Sequence, residues 1–405
     1  MTKSLYICYF GLREPLVQTQ VVPYLKEILK DGVEISLLTF EPEFKKSWTS
    51  KQIEDERKKL AAQNITWHVL PYHKSPSVLA TFYDVLNGTR LVRKLLLREN
   101  YDILHCRVHQ PALMATMARK LSRKNPKILF DIRGFVPEEY TDAGVWQEGG
   151  WLYRLVKWVE RWLFREANAF VVLTEKAKVI ISDKLEGKPI EVIPCCVDFS
   201  DRFQVDNATS RIDVKSNLDI GDRFVVTHVG ALGGLYLTEE IVDFLDAARS
   251  VRPDTFALFL TQTDQTNVIK LLKERGFTEQ DYFKAKVASD EVPSYLSIAN
   301  VGLSFVKATY STQSRSPTKI PEYLAAGLPL IANAGVGDVD ELIINESVGV
   351  LIDRFDRETY IDAVKNVLRM GDIGNRCKKT AYRRFDLEKV GGARYRRLYN
   401  KLLAG

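Results

Sequence analysis

The sequence predicts an α/β protein made of two doubly wound domains, each a parallel sheet with helices on both faces. Short apolar runs, many of them β-branched, alternate with helical patterns along most of the 405 residues. The alternation breaks once, in the polar segment "CVDFSDRFQVDNATSR" (196–211), and then restarts. The length also suits two or three domains with ample buried core.

In the first half the candidate strands are "LYICYF", "VEISLLTF", "ITWHVLP", "DILHCR", "KILFDIR", "AFVVLT" and "IEVIP". Helical patterns lie between them, as at 18–30 and 77–99. The second half offers "RFVVTHVG", "FALFLT", "KAKVA", "VGLSF", "LPLIAN" and "VGVLI". The expected domains are 1–200 and 201–385, followed by a C-terminal helix at 386–405 that is free to return to the first domain. In open α/β sheets ligands bind beyond the carboxyl ends of the strands. Two such sheets facing each other across a cleft would place a site there, so the residues after each strand are where chemistry is to be sought.

Composition excludes several classes. Hydrophobic residues make up 45% and charged residues 27%, as in an ordinary globular protein. No apolar run approaches the roughly 20 residues that span a bilayer. The opening "MTKSLYICYFGL" has no signal-peptide pattern and reads as a first strand. The five cysteines form no C-x-x-C pair, which points to reduced, buried thiols rather than disulfides or zinc. The expected location is the cytoplasm or the inner face of a membrane. The net charge is +6, and residues 1–200 hold all of it, with 30 Lys+Arg against 24 Asp+Glu. That half favours an acidic partner such as a phosphate-bearing acceptor or an anionic membrane, or it is a mildly basic solvated surface. The charge is too modest, and recognised modules too absent, for nucleic acid.

The most informative stretch is "SRSPTKIPEYLAAGLPLIANAGVGD", 314–338. Ser316 suits an N-cap and Pro317 the first helical position, although Pro321 allows a later start. Lys319 adds a positive charge to the positive end of a helix dipole, which local helix stability does not explain and a bound anion would. Glu322, one turn on, suits paired hydroxyls such as a ribose diol. The alternative is a capped helix with a surface Lys–Glu pair.

"SPTKIPEYLAAGLPLIAN" with "GVGDVDELI" resembles the donor-site signature of glycosyltransferase family 4, retaining sugar-nucleotide enzymes with two Rossmann-like domains. "DILHCRVHQP", "AFVVLTEKAKVII" with "IEVIPCCVDFSDRF", and "EVPSYLSIANVGLSF" are similar to other parts of that family, so the resemblance spans nearly the whole chain. It implies the B-type glycosyltransferase fold and a nucleotide-diphosphate sugar as co-substrate, with neither metal nor other cofactor. The acceptor would be a glycan, a lipid-linked precursor or a polysaccharide precursor. Glu322 matches the second glutamate of the family's E-x7-E motif, which binds ribose. Ser314 stands where the first glutamate is expected. In "VGALGGLY", Ala231, Gly233 and Gly234 occupy the stretch where many members carry an arginine and a lysine for the pyrophosphate. Backbone N–H groups and Lys319 would serve instead.

By the same resemblance, Gly11 would approach the donor phosphate, with Arg13 beside it. Ser316 and Thr318 join Ser314, Lys319 and Glu322 as donor-binding candidates. Asp131 and Arg133 in "FDIRGFVPEEY" lie where many members place a catalytic histidine; a structural Asp–Arg pair is the alternative. His105, Arg107 and His109 alternate in "HCRVHQ", so on extended chain they would share one acceptor-facing face. Asp338 and Asp340 read as helix-capping residues rather than metal ligands. In the helix expected at 151–167, Leu152, Leu155, Val159 and Leu163 form an apolar stripe, with Arg154, Lys157, Arg161 and Arg165 opposite. Either the stripe packs into the core or the helix lies on a membrane surface. Rival functions are a non-catalytic sugar-nucleotide-binding subunit, or an epimerase or phosphorylase on the same fold.

Overall fold

The computed structural model describes residues 2–75, 77–203 and 214–404. Positions 204–211 of the expected linker lie outside the described residues. The chain forms two compact units, one of residues 1–193 with 391–405 and the other of residues 194–390.

The first unit holds a seven-stranded sheet of β1 (Lys3–Cys8), β2 (Glu34–Pro42), β3 (Ile65–Tyr72), β4 (Ile103–Arg107), β5 (Lys127–Asp131), β6 (Ala169–Val172) and β7 (Ile190–Val192). The spatial order is β3-β2-β1-β4-β5-β6-β7, and every pairing is parallel. All carboxyl ends therefore lie along one edge, and the order reverses between β1 and β4. The inner strands are buried on both faces, which is why they read as continuous apolar runs.

The second unit holds β8 (Phe224–Val229), β9 (Thr255–Leu260), β10 (Tyr282–Ala285), β11 (Val301–Ser304), β12 (Leu330–Asn333) and β13 (Gly349–Ile352). Their order is β10-β9-β8-β11-β12-β13, again all parallel. One core cluster, with Val225, Leu258, Tyr323 and Leu330, covers one face; another, with Phe244, Phe259, Phe305 and Tyr360, covers the other. The reversal here lies between β8 and β11.

Three local departures have physical causes. The helix expected at 18–30 is two helices, Pro15–Gln20 and Val22–Leu29, because Pro23 has no N–H to continue the first. β10 sits two residues earlier than "KAKVA". The helix Trp151–Glu166 packs only part of the expected stripe: Leu163 is buried and Val159 lies against the core, while Leu155 is 48% exposed and Glu160 and Phe164 are buried as well. Glu160 can be buried because His109 Nε2 lies 3.1 Å from its carboxylate and Lys157 pairs with it as well. Trp151 and Trp158 consequently face solvent beside Arg154, Arg161 and Arg165.

The C-terminal helix Ala393–Ala404 belongs to the first unit. Tyr399 OH lies 3.0 Å from Ser4 Oγ and 2.9 Å from His105 Nδ1, and Arg396 pairs with Glu27 at 2.7 Å. Among the described residues no helix is long and apolar enough to cross a membrane.

Candidate functional site

In the second unit the helix carrying the donor-like motif runs Lys319–Ala325. Its N-cap is Thr318, without a side-chain capping bond, rather than Ser316. The Ser316 hydroxyl is used elsewhere, accepting the Cys195 N–H at 3.1 Å. The helix is fixed by Tyr323, which is fully buried. Its hydroxyl accepts the Val229 N–H at 2.8 Å and donates towards the Leu303 carbonyl at 3.3 Å, tying the helix to β8 and β11 on either side of the strand reversal. Gly302 makes this possible: any Cβ there would collide with the Tyr323 ring.

Lys319 is 3% exposed. Its Nζ lies 3.4 Å from His228 Nε2 and 4.7 Å from the centre of the Tyr236 ring. His228 is the penultimate residue of β8, and its Nε2 is 3.1 Å from the Ala231 carbonyl, so the ring N–H donates there and offers Lys319 no lone pair. The loop 230–234 turns through three glycines at positive φ: Gly230 at +107°, Gly233 at +78° and Gly234 at +64°. Gly230 is packed against the lysine, since a Cβ there would come within 3.5 Å of Lys319 Cε. Ala231, Gly233 and Gly234 therefore belong to the same corner as Lys319. Thr238 Oγ1 fixes the turn by accepting the Gly233 N–H at 2.8 Å.

The electrostatics of this corner are unusual. Burial pushes the Lys319 ammonium down to about 7, and the Glu322 charge offsets only part of that. Burial first, and the adjacent lysine second, keep His228 well below the ordinary histidine range and so neutral. Glu322 is also buried, which pushes its carboxyl up, against the pull of Arg202. Arg202 Nη1 sits 2.9 Å from Glu322 Oε1, while Nε and Nη2 donate to the Ser289 carbonyl at 3.1 and 2.6 Å. A buried lysine is thus held with no direct ion pair among the described residues, near a carboxylate already paired with an arginine. Such a corner can accept a diphosphate and a diol together.

Ser314 ends a single 3-10 turn, Ser311–Ser314, and donates its hydroxyl to the Ser311 carbonyl at 2.6 Å. Asp338 stands at the N-cap of Val339–Glu346 but makes no side-chain capping bond. Asp340 accepts the Gly335 N–H at 3.1 Å.

In the first unit the structure alters the reading of "HCRVHQ". β4 ends at Arg107, and Val108, at φ +68°, turns the chain into the helix His109–Ser122. His105 and Arg107 share a face, but His109 does not join them and meets Glu160 instead. His105 is wholly buried between Tyr6, Tyr395 and Tyr399, so the expected acceptor-facing position does not hold for its ring. Asp131, also fully buried, accepts from Tyr395 OH at 2.9 Å and lies 3.8 Å from His105 and Arg107 and 3.6 Å from Arg133. Burial alone would raise its carboxyl; Arg133, then His105 and Arg107, outweigh burial and hold it at about 2. Asp131 and Arg133 are therefore members of one buried charge cluster.

At the end of β1, a Cβ on Gly11 would fall 2.8 Å from Glu41 Oε2, so this glycine is needed for close packing. Glu41 accepts the Leu12 N–H at 2.7 Å and the Thr39 hydroxyl at 2.6 Å. Arg13 lies flat on Trp48, 3.7 Å from the ring centre.

Sequence reading missed Arg202, His228 and Tyr236. Arg202 looked like linker, and nothing in its neighbours marks it as the partner of a residue 120 positions away.

Comparison with known proteins adds the following. The family model described as Glycosyltransferase Family 4 matches residues 17–201, and the model Glycosyl transferases group 1 matches residues 212–384. An alpha-D-kanosaminyltransferase of Streptomyces kanamyceticus is 23% identical over 56% of this chain and 58% of its own length. The chain thus spans under two thirds of that relative. A UDP-Gal:alpha-D-GlcNAc-diphosphoundecaprenol alpha-1,3-galactosyltransferase of Escherichia coli is 25% identical over 68% of each chain. Among solved structures, a sucrose-phosphate synthase from Thermosynechococcus elongatus is similar with a TM-score of 0.75 at 15% identity, covering 100% of both chains. Anabaena HepE, solved with UDP and glucose, is similar with a TM-score of 0.67 at 12% identity, again over 100% of both. These structural likenesses speak to the fold alone.

Proposed function

Because the chain belongs to glycosyltransferase family 4, we propose that it is a retaining glycosyltransferase that moves a sugar from a nucleotide-diphosphate sugar to a glycan or lipid-linked acceptor. The observation that carries this reading is the buried Lys319, set against the 230–234 loop and one turn from Glu322. Burying an ammonium without a partnering anion is costly, and a diphosphate supplies the missing charge. Negative charge grows on that diphosphate as the sugar departs, so Lys319 stabilises the transition state more than the ground state. Glu322, oriented by Arg202, takes the ribose hydroxyls. UDP is the first nucleotide to try, since the E. coli relative is named for UDP-Gal and HepE was solved with UDP. In the proposed mechanism the donor phosphate oxygen takes the acceptor proton, and no metal is required.

The basic first unit would meet the acceptor. Its exposed Trp151, Leu155 and Trp158, flanked by Arg154, Arg161 and Arg165, suit an anionic membrane face on which a lipid-linked acceptor would be presented. The non-catalytic alternative draws on Ser314, whose hydroxyl is spent on Ser311 where the family carries a carboxylate.

Calorimetry against UDP-, GDP-, ADP- and dTDP-sugars, followed by turnover of whichever binds, tests the proposal. Binding with release of the nucleoside diphosphate supports it. Binding without turnover favours the non-catalytic reading, and no binding to any of them refutes both.

A further inference from the structure

His73 directly follows β3, on the edge of the first sheet where all the carboxyl ends lie. Of the five histidines it is the exposed one, its side chain 42% accessible; His105, His109 and His228 are buried and His68 is half-buried. Its Nδ1 lies 2.5 Å from Asp84 Oδ1. Asp84 comes from the helix Ser77–Arg98 and is fully buried. The other oxygen of that carboxylate accepts Tyr9 OH at 2.8 Å and the His73 backbone N–H at 2.9 Å.

This geometry fixes the imidazole. The Asp84 carboxylate takes the proton on Nδ1, and the second nitrogen, Nε2, has no partner among the described residues. Tyr9 and the His73 backbone both bind Oδ2 of Asp84, and the His73 ring takes Oδ1, so the ring completes the partners of this buried carboxylate. What the ring contact adds is a set tautomer and a set direction, the arrangement by which a carboxylate orients a working histidine.

The surroundings indicate what Nε2 receives. Tyr83 stands edge-on to the His73 ring, 5.1 Å between centres, and is 52% exposed; Phe82 beside it is 61% exposed. Tyr72 packs against Tyr9 at 5.3 Å. An oriented ring nitrogen among open aromatic faces matches a sugar, whose rim hydroxyls both donate and accept and whose face offers C–H groups. The Asp84 carboxylate lies behind the ring and disfavours a phosphate there.

We propose that His73, oriented by Asp84 and flanked by Tyr83, binds a hydroxyl of the acceptor saccharide through Nε2. This rests on the glycosyltransferase reading above and adds the residues that hold the acceptor sugar.

The test uses the full chain labelled with 15N-histidine. Its long-range 1H–15N spectrum should show His73 with the proton on Nδ1. Methyl α-glycosides of glucose, galactose, mannose and N-acetylglucosamine are then titrated in turn. At least one should shift the Nε2 signal saturably, and Tyr83→Ala, a surface change that leaves the fold intact, should raise the saturation midpoint about tenfold. His73→Gln should abolish glycoside binding, read by saturation transfer to the protein, while the variant still unfolds cooperatively on heating. An Nε2 signal that no glycoside moves overturns the proposal, as does wild-type binding in both variants. Nucleotide calorimetry on the same sample separates the two levels. Nucleotide binding with a silent His73 refutes this inference alone. A responsive His73 without nucleotide binding refutes the donor reading and supports the saccharide site.

Discussion

Lys319 offers the sharpest prediction, because two opposing effects act on it and their balance has a size. Burial disfavours its charged form, while Glu322 favours it. Glu322 already shares its charge with Arg202 at 2.9 Å, and His228 stays neutral, so burial wins and the ammonium falls to about 7. A bound diphosphate places negative charge beside it and restores the proton. Donor binding therefore takes up a proton wherever the free site has lost one. With the free site at about 7, affinity should be flat near pH 6 and fall about tenfold per unit above 7. That gives about thirtyfold, or about 2 kcal/mol, by pH 8.5. Calorimetry at pH 8, in two buffers of unlike ionisation enthalpy, should report uptake of about 0.9 proton per UDP-sugar bound. Stability moves the other way with pH. The unfolded lysine keeps its proton up to about 10.5 and the folded one releases it at about 7, so the unfolded state binds more protons between those values and stability rises with pH across that window. The full span is about 5 kcal/mol as an upper bound. Lys319→Met removes the buried charge, so at pH 6 it should melt at a higher temperature than wild type while losing nucleotide affinity. A variant that melts lower and still binds, or a wild type that takes up no proton at pH 8, would refute the reasoning.

Glu322→Gln and Arg202→Ala should both weaken binding of the donor and of the free nucleoside diphosphate, with kcat little changed, because ribose contacts alter little during transfer; steady-state kinetics that show a kcat loss at unchanged KM would contradict this. Sedimentation with anionic vesicles should recover the protein at low salt and release it at high salt, and Trp158→Glu should abolish recovery. Equal behaviour with neutral vesicles would remove the membrane contact. Gly302→Ala should destabilise the second unit by about 2 kcal/mol or more, since Tyr323 must leave its seat over β11; an unchanged urea midpoint would contradict the packing argument.

The fold was legible because parallel strands buried on both faces must be apolar throughout. Among the described residues the inner strands coincide with such runs, and "KAKVA", at a sheet edge with half-buried residues, was misplaced by two positions. Helix faces were less legible. The helix Trp151–Glu166 packs Val159 and Leu163 of its expected stripe but leaves Leu155 exposed and buries Glu160, which depends on His109, 51 residues earlier. His109 itself left the face of His105 and Arg107 because one residue, Val108, takes a positive φ. The proximity of Lys319 and Glu322 was legible because they lie on one short helix. The donor-like corner was illegible where contacts cross long separations, as with Arg202 and His228. The His73–Asp84–Tyr9 contact draws on three elements and leaves no local pattern in the sequence.

If transfer from the nucleotide sugar is retaining and needs no metal, water can stand in for the unknown acceptor. Purified protein is incubated with each UDP-, GDP-, ADP- and dTDP-α-sugar in the presence of chelator, and the anomeric proton of the released sugar is followed by NMR before it mutarotates. One donor should yield nucleoside diphosphate and sugar appearing first as the α anomer. First appearance as the β anomer, turnover that returns only with added manganese, or release from none of the donors would contradict it.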